Sequence, residues 1–167
     1  AACQQFIKSL TDVQLAGQTV PSLNAIHVDH QLSPNHTHWA EHCRQFCLQR
    51  EIPLHVVCVD VKNQKGGIEQ AAREQRYQAF EQHLQTYRND TALLLAQHVD
   101  DQAETILLRL FRGSGIRGVA AMAHERRLGN TVLVRPFLNL SKQQLLDYAN
   151  SHSLTWIEDE SNENIRF

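Results

Sequence analysis

The sequence has no long hydrophobic run. A membrane-spanning helix needs about 20 successive apolar residues, whereas the longest apolar stretches here are short and strand-like, such as Ala92 to Ala96. It also has no apolar leader, no Cys-x-x-Cys pair and only four cysteines in 167 residues, which argues against a disulfide-built secreted protein. We therefore expect a soluble protein of the reducing cytoplasm, whose 42% hydrophobic residues suffice for a single core.

A strong overall charge is absent too, because the formal net charge is only -2 and gives no global sign of a nucleic-acid partner. The charge is nevertheless unevenly distributed. From Arg109 to Arg135 there are six arginines against one acid, Glu125, which is a local charge of +5. The six are Arg109, Arg112, Arg117, Arg126, Arg127 and Arg135. A local basic face of this kind can hold phosphates while the rest of the surface stays acidic.

Short apolar segments alternate with longer segments of helical periodicity. The predicted strands are Leu23 to Val28, Leu54 to Val59, Thr91 to Ala96 and Thr131 to Val134, with one more short strand at Trp156-Ile157. The predicted helices are about Thr37 to Arg50, Gly67 to Tyr87, Val99 onward to the glycine-bearing loop at Gly113, and Ser141 to Ser151 with Ser141 as N-cap. This alternation predicts one α/β domain over residues 1–167, a Rossmann-like parallel sheet with helices on both faces.

Two of the predicted helices carry polar stripes. In the second helix, a line at helical spacing is expected to face a ligand or solvent, and its members are Glu69, Arg73, Arg76 and Phe80. In the third helix, the apolar stripe expected to pack on the sheet consists of Val99, Ala103, Ile106 and Leu110. A different, polar stripe of that helix carries His98, Asp101, Thr105, Arg109 and Arg112.

The strongest functional signal is the segment Ala96 to Thr105, where a predicted strand ends and a helix begins. Ligands of open α/β sheets bind at this edge. A helix N-terminus favours anions, and acidic side chains there can hold a magnesium ion that bridges to phosphate oxygens. Asp101 and Thr105, one turn apart, point the same way. The alternative is that Asp100, Asp101 and Glu104 only offset the helix dipole; the arginines and the glycine loop that follow favour the ligand site.

This segment resembles a family signature. His98-Val99-Asp100-Asp101-Gln102-Ala103-Glu104-Thr105, followed by Arg112-Gly113-Ser114-Gly115, is similar to the signature of the tRNA(Ile)-lysidine synthetases of the PP-loop ATPase superfamily. Three further segments fit the family in the same order: His27 to Ser33 as its second-strand motif, Gly67 to Arg73 with Arg76-Tyr77 as its third, and Trp156 to Asn162 as its last. The resemblance runs from about Leu23 to Asn162, most of the chain.

The resemblance implies an N-type ATP pyrophosphatase fold, which is adenine nucleotide alpha hydrolase-like, and a two-step ligase reaction. The family first uses ATP to adenylate the 2-carbonyl oxygen of the cytidine at the first anticodon position of tRNA(Ile) with a CAU anticodon, and it releases pyrophosphate. The ε-amine of free L-lysine then displaces AMP, which gives lysidine. The implied cofactors are ATP and magnesium, and the oligomeric state stays open between a monomer and a homodimer.

The resemblance also implies site residues. The nucleotide set is His98, Asp101, Thr105, Asp29 and His30, with Asp101 also the magnesium ligand. The reacting centre adds to Asp101 the residues Glu69, Arg73 and Arg76. There the arginines are expected near the phosphates or the tRNA backbone and Glu69 near the lysine amine, which must lose a proton to react; these roles are interchangeable. The residues expected to contact the anticodon stem are Arg109, Arg112 and Arg117. Phosphate contacts there fix the position of the RNA without reading its sequence.

One part of the family pattern is missing. The PP-loop sequence Ser-Gly-Gly-x-Asp-Ser, which cradles pyrophosphate in the family, does not occur in the 167 residues. In the family it lies just upstream of the position of Ala1, so we expect the chain to be a fragment of the catalytic domain, truncated at both ends. By itself the chain should bind ATP weakly or not at all, and it should not catalyse the reaction.

Three other functions stay open at this point. A zinc site is suggested by His38 and His42, four residues apart, beside Cys43 and Cys47, but both cysteines lie on the predicted buried stripe of their helix. Another PP-loop enzyme, such as a tRNA thiolase, would need paired catalytic cysteines. A non-catalytic nucleotide-binding or RNA-binding module would not need the polar stripe between Glu69 and Tyr77.

Overall fold

The computed structural model describes residues 22–61, 67–87, 91–111, 113 and 121–158. The helices in these ranges are α1 (His36–Leu48), α2 (Ile68–Leu84), α3 (Val99–Phe111) and α4 (Lys142–Ser151). The strands are β1 (Ala25–Asp29), β2 (Leu54–Cys58), β3 (Ala92–Leu94), β4 (Glu125–Leu128) and β5 (Thr131–Val134). The chain divides into two compact units, residues 1–80 with 156–167 and residues 81–155. Each unit contains its own sheet.

In the first unit, β1 and β2 form a parallel pair with Ala25 opposite Leu54. A parallel pair needs a crossover connection, and α1, which contacts both strands, provides it. The inner face of α1 buries Ala40 and Cys47, at 4% and 7% exposure, and Cys43 is half-buried. The prediction that both cysteines face inward is therefore confirmed.

α2 packs through small residues. Ala71 and Ala72 form a buried cluster with Val61, which is only 2% exposed. Phe80, near the other end of the helix, is also buried. Three polar side chains of the predicted line are exposed, as expected for a surface open to ligand or solvent: Glu69, Arg73 and Arg76.

In the second unit, β5 is the central strand, parallel to β3 and antiparallel to β4. Leu93 and Leu133 are register partners on the buried face of this sheet, at 7% and 0% exposure. The parallel pairing predicted from the alternating pattern is thus confirmed in both units, and the antiparallel strand is an addition to it.

β4 is a strand that the hydrophobic pattern does not predict, because its sequence is Glu-Arg-Arg-Leu. It joins β5 through the two-residue turn Gly129-Asn130, in which Gly129 has a φ of 56°. A positive φ at the first central position is typical of type II′ hairpin turns. Gly-Asn between two extended segments is itself a hairpin signal, so the sequence does contain the information that locates this strand.

The packing face of α3 differs from the prediction. Val99 and Leu110 of the expected apolar stripe are 42% and 50% exposed, Ala103 is exposed, and Ile106 alone is partly buried. The less exposed side of the helix includes Gln102, whose side chain makes two hydrogen bonds to the backbone of Met122. The prediction was wrong because these polar contacts, which join residues far apart in sequence, orient the helix.

α4 begins as predicted. The Oγ of Ser141 accepts a hydrogen bond from the Gln144 N–H (3.2 Å), and the Oε1 of Gln144 accepts one from the Ser141 N–H (2.9 Å), which is a capping box. Trp156 and Ile157, in contrast, form no strand. That prediction was wrong, since neither residue pairs with a described strand and Trp156 remains 44% exposed. None of the helices in the described ranges is long and apolar enough to span a membrane.

Candidate functional site

The start of α3 holds the strongest predicted segment. Asp101 lies in the first turn, and its Oδ2 accepts a hydrogen bond of 2.8 Å from the backbone N–H of His98. The neighbouring Asp100 accepts one of 2.7 Å from the backbone N–H of Lys142, where α4 begins. Both carboxylates therefore satisfy backbone donors, as the helix-dipole alternative expects. Because the Asp101 side chain is still 36% exposed, it can also contact a ligand, so the two interpretations do not exclude each other.

The imidazole of His98 lies between the two carboxylates. Its Nδ1 is 3.5 Å from an oxygen of Asp100 and 3.5 Å from an oxygen of Asp101. This atom is buried, and it has no hydrogen-bond partner among the described residues. Buried polar atoms without partners are rare in folded proteins, and such an atom needs an explanation, such as a bound ligand or water. The two carboxylates at ion-pair distance are one such explanation, and the part of His98 in ligand binding stays a prediction.

Thr105 and Arg109 continue the polar stripe of α3 away from Asp101. The spacing of four residues places the three side chains on one side of the helix, and all three are partly buried while Leu107, Leu108 and Phe111 are exposed. The structure thus brings together the predicted residues of this stripe that it describes. Arg112 and Arg117, the other members of the predicted RNA set, lie outside the described residues.

The carboxylate of Asp29, at the end of β1, makes its hydrogen bonds within the turn that follows the strand. Its Oδ2 is 2.8 Å from Nδ1 of His36, and its Oδ1 accepts a hydrogen bond of 2.9 Å from the N–H of Gln31, whose φ is 53°. Burial would raise the pKa of this carboxyl, but the hydrogen bonds from His36 and Gln31 outweigh burial and hold the pKa below its usual value. Asp29 is thus an anionic support of the turn between β1 and α1.

His30 accepts a hydrogen bond from Arg76, a residue of another predicted motif. The Nε of Arg76, in α2, donates to Nε2 of His30 at 3.4 Å across 46 residues of sequence. The other ring nitrogen, Nδ1, then carries the proton of the neutral ring, and it is buried without a partner among the described residues. Burial first, and the Arg76 charge second, lower the pKa of His30. The structure therefore presents a neutral imidazole with one unsatisfied N–H donor.

Glu69 and Arg73 lie one helical turn apart on the exposed surface of α2. The guanidinium of Arg73 is 5.1 Å from the ring centre of Tyr77, which is within the range of a cation–π contact. Arg76 follows on the same side of the helix. The three charged residues predicted for the reacting centre are thus accessible together, within the first unit.

Cys43 and His27 form a pair that the predicted site does not include. The Sγ of Cys43 is 3.7 Å from Nδ1 of His27. Burial raises the pKa of the Cys43 thiol and lowers the pKa of His27, so both groups are neutral. A thiolate nucleophile needs the opposite shifts, and the arrangement does not resemble the catalytic cysteine of a thiolase. Among the described residues, no group of three or more His, Cys, Asp or Glu side chains could hold a metal ion.

One arginine of the predicted basic face is not on the surface. Arg135 is 3% exposed, and its Nη1 donates a hydrogen bond of 2.8 Å to the carbonyl oxygen of Ala123. Its Nε donates to Oε1 of Gln97, the residue before His98. The sequence pattern missed the roles of Gln97 and Gln102, because glutamines beside a motif carry no signal of their own. For Arg135 the sequence carries no such signal either, because the partners that bury it, Ala123 and Gln97, are distant in sequence.

The sequence matches a PP-loop domain family over residues 5–167. It is also similar to curated proteins that are named tRNA(Ile)-lysidine synthase. That of Serratia proteamaculans is 52% identical over 145 residues, 87% of this chain and 33% of the relative. Those of Pseudomonas aeruginosa and Haemophilus influenzae are 48% and 47% identical, over 92% and 87% of this chain and 34% and 33% of the relatives. The chain spans about a third of the length of these relatives. The expected α/β fold and PP-loop superfamily are thus confirmed, and the chain belongs to the PP-loop domain family.

Proposed function

We propose that this chain is the catalytic ATP-binding domain of a tRNA(Ile)-lysidine synthase. The reaction adenylates the first anticodon cytidine of tRNA(Ile) with ATP and then attaches free L-lysine to form lysidine. The observation that carries the proposal is the identity of about half of the residues to lysidine synthases over at least 87% of the chain. Membership of the PP-loop domain family supports the use of ATP.

The start of α3 is the proposed nucleotide edge. His98, Asp101 and Thr105 lie at or near a helix N-terminus, where backbone N–H groups and the helix dipole favour phosphate. Mg²⁺ is commonly held by one or two carboxylates together with substrate phosphates and water. Asp101 suits this mode, because Oδ2 bonds the His98 N–H and the second oxygen of a partly exposed carboxylate remains for a metal. Magnesium bound there would neutralise charge on the triphosphate.

In the first unit, the proposed contributions come from His30 and α2. The buried Nδ1–H of His30 has no acceptor among the described residues. A ribose or phosphate oxygen of the nucleotide would accept this hydrogen bond. Arg73 and Arg76 supply positive charge for phosphate oxygens, a form of stabilisation that grows as the charge on the leaving pyrophosphate develops. Glu69 supplies a carboxylate that can orient the lysine amine and take its proton. Asp29 contributes indirectly, since it fixes the turn that carries His30.

The proposed RNA contacts are Arg109, Arg112 and Arg117, with the anticodon stem as their partner. Guanidinium groups bind phosphate oxygens through two parallel hydrogen bonds, and such contacts set the register of an RNA without reading its bases.

The proposal is tested with the complete protein, tRNA(Ile) with a CAU anticodon, ATP and radiolabelled L-lysine. We expect label in the tRNA only when ATP is present, with pyrophosphate and AMP as the other products. A tRNA whose anticodon begins with uridine is the matched substrate control and should stay unlabelled. ATP consumption with no lysine in the tRNA would contradict the proposal and favour another PP-loop activity.

A further inference from the structure

Two side chains that the proposed reaction does not use, Gln102 and Arg135, contact the short segment Met122–His124, and a third, Gln97, contacts Arg135. The first is Gln102 of α3. The N–H of Met122 donates to its Oε1 at 2.6 Å, and its Nε2 donates to the carbonyl oxygen of Met122 at 3.2 Å. One side chain thus satisfies both backbone polar groups of a residue that is 9% exposed. This pairing fixes the distance between α3 and the segment.

Arg135 holds the next two residues of the same segment. Its Nη1 donates to the carbonyl oxygen of Ala123, and its backbone N–H donates to the carbonyl oxygen of His124, both at 2.8 Å. Its Nε donates to the Oε1 of Gln97. In the described part of the chain, no carboxylate lies within ion-pair distance of this buried guanidinium. A buried charge with neutral acceptors is a poor source of stability, so its effect has to be sought in the arrangement that it imposes.

The two glutamines stand on either side of the predicted ligand residues. Gln97 immediately precedes His98, and Gln102 immediately follows Asp101. His98 and Asp101 are themselves joined by the hydrogen bond between the His98 N–H and the Asp101 carboxylate. The stretch from His98 to Asp101 is therefore anchored at one end through Gln97 and Arg135 and at the other through Gln102, and both anchors end on Met122–His124.

We propose that Gln97, Gln102 and Arg135 are positioning residues that use the segment Met122–His124 to hold His98 and Asp101 in the orientation that the nucleotide requires. This inference rests on the proposed function, because it takes His98 and Asp101 as nucleotide contacts. Outer partners of this kind act by limiting the rotation of the groups that touch the ligand, and their loss typically reduces metal affinity or activity by about 10- to 100-fold. The segment is then a support for the nucleotide edge and not merely a connection into β4.

The test uses the substitution Gln102→Met in the complete protein. Methionine has nearly the same length and volume, so the change removes both hydrogen bonds to Met122 without leaving a cavity. Gln143→Met is the matched control, because the Gln143 side chain also makes a hydrogen bond, to Asp147, but on the exposed surface of α4. The two readouts are amide hydrogen exchange of Met122 and steady-state kinetics of pyrophosphate release with ATP and tRNA varied separately.

In the wild type the Met122 amide should be protected from exchange, and Gln102→Met should remove this protection. The same variant should raise the KM for ATP at least about tenfold and leave the KM for tRNA unchanged, a split that general destabilisation would not produce. Gln143→Met should change none of these quantities. An unprotected Met122 amide in the wild type, or an unchanged KM for ATP in Gln102→Met, would overturn the inference.

Failure of the proposed function has a different signature. In that case the wild type would put no lysine into tRNA, while equilibrium binding of ATP with magnesium to the wild type and to Gln102→Met would still measure the effect of the anchors. Arg135→Met removes the opposite anchor and should weaken ATP binding in the same direction. Equal ATP affinities for the wild type and both variants would overturn the inference irrespective of the reaction catalysed.

Discussion

A single carboxylate at the start of α3 serves the fold and the proposed chemistry at once. Asp101 accepts the His98 N–H, and it is also the residue on which the proposed magnesium site depends. Spacing predicts that Asp101 and Thr105 share a side of the helix, and the structure agrees, because the geometry of an α-helix is local. Spacing does not predict that Arg135 is buried, because burial is decided by Ala123 and Gln97, which are distant in sequence.

The two roles of Asp101 separate under substitution. Asp101→Asn keeps an oxygen for the His98 N–H and removes the negative charge, so the free energy of unfolding should fall by less than about 1 kcal/mol. Pyrophosphate release by the complete protein should fall at least about a hundredfold, because the metal and the triphosphate lose their anionic partner. Asp101→Ala should lose the activity and also about 1 kcal/mol of stability, since it removes the hydrogen bond as well.

Asp147→Asn is the control for this series, because Asp147 accepts a hydrogen bond from Gln143 on the exposed surface of α4. It should leave pyrophosphate release and stability unchanged. Pyrophosphate release at the wild-type rate by Asp101→Asn would remove Asp101 from the metal site and would leave the capping interpretation as sufficient.

At the level of secondary structure, the elements predicted most accurately are those with regular periodicity and local signals. The start of α4 follows from the N-cap residue Ser141, to which the structure adds the capping box with Gln144, and α1 follows from its apolar stripe. β4 was missed because its charged sequence has no strand-like hydrophobic pattern, although Gly129-Asn130 marks the hairpin, and the orientation of α3 was missed because it depends on a partner distant in sequence. β4 is a charged segment that becomes a strand by pairing with β5, and the inward side of α3 is set by the contact between Gln102 and Met122.

The turn between β1 and α1 makes the first unit sensitive to acid. His30 has a lowered pKa in the folded state, so the unfolded chain binds protons more readily as the pH falls below about 6.5, the usual value for histidine. Stability should therefore begin to decrease in that range. Asp29 also has a lowered pKa. Its contribution is complete above the usual Asp value of about 3.9 and is lost as the pH falls through the lower, folded value.

The measurement is the free energy of unfolding by urea between pH 7.5 and about 3. His30→Gln should reduce the first decrease, with the remainder carried by His27, whose pKa is lowered by burial as well. Asp29→Asn should be less stable than the wild type at neutral pH and should approach it at the acid end. His38→Gln, which changes an exposed histidine of α1, should show both decreases in the free energy of unfolding, the one attributed to His30 and the one attributed to Asp29. A wild-type curve that is flat between pH 7 and 5 would contradict the role given to His30.

For the chain as a whole, the net charge conceals the local one. A total of -2 coexists with a segment of charge +5 between Arg109 and Arg135, and the buried Arg135 leaves fewer of these arginines for the surface. A nucleic acid that binds such a segment gains affinity by releasing condensed counterions, so its affinity depends on salt concentration in proportion to the phosphates contacted. Composition alone does not locate this surface, whereas the order of residues along the chain does.

The final prediction concerns Arg112, which belongs to the proposed RNA set. In the complete protein, Arg112→Ala should weaken binding of tRNA(Ile) at low salt and should reduce the slope of log K against log salt concentration by about 0.7 to 0.9, the change for one phosphate contact. Binding measured by fluorescence anisotropy over a salt series gives both quantities. Arg44→Ala is the matched control, because Arg44 is an exposed arginine that pairs with Glu41 on α1, outside the basic segment. Its slope should equal that of the wild type. If Arg112→Ala lowered the affinity with the slope unchanged, the effect would come from the protein structure and not from a lost phosphate contact.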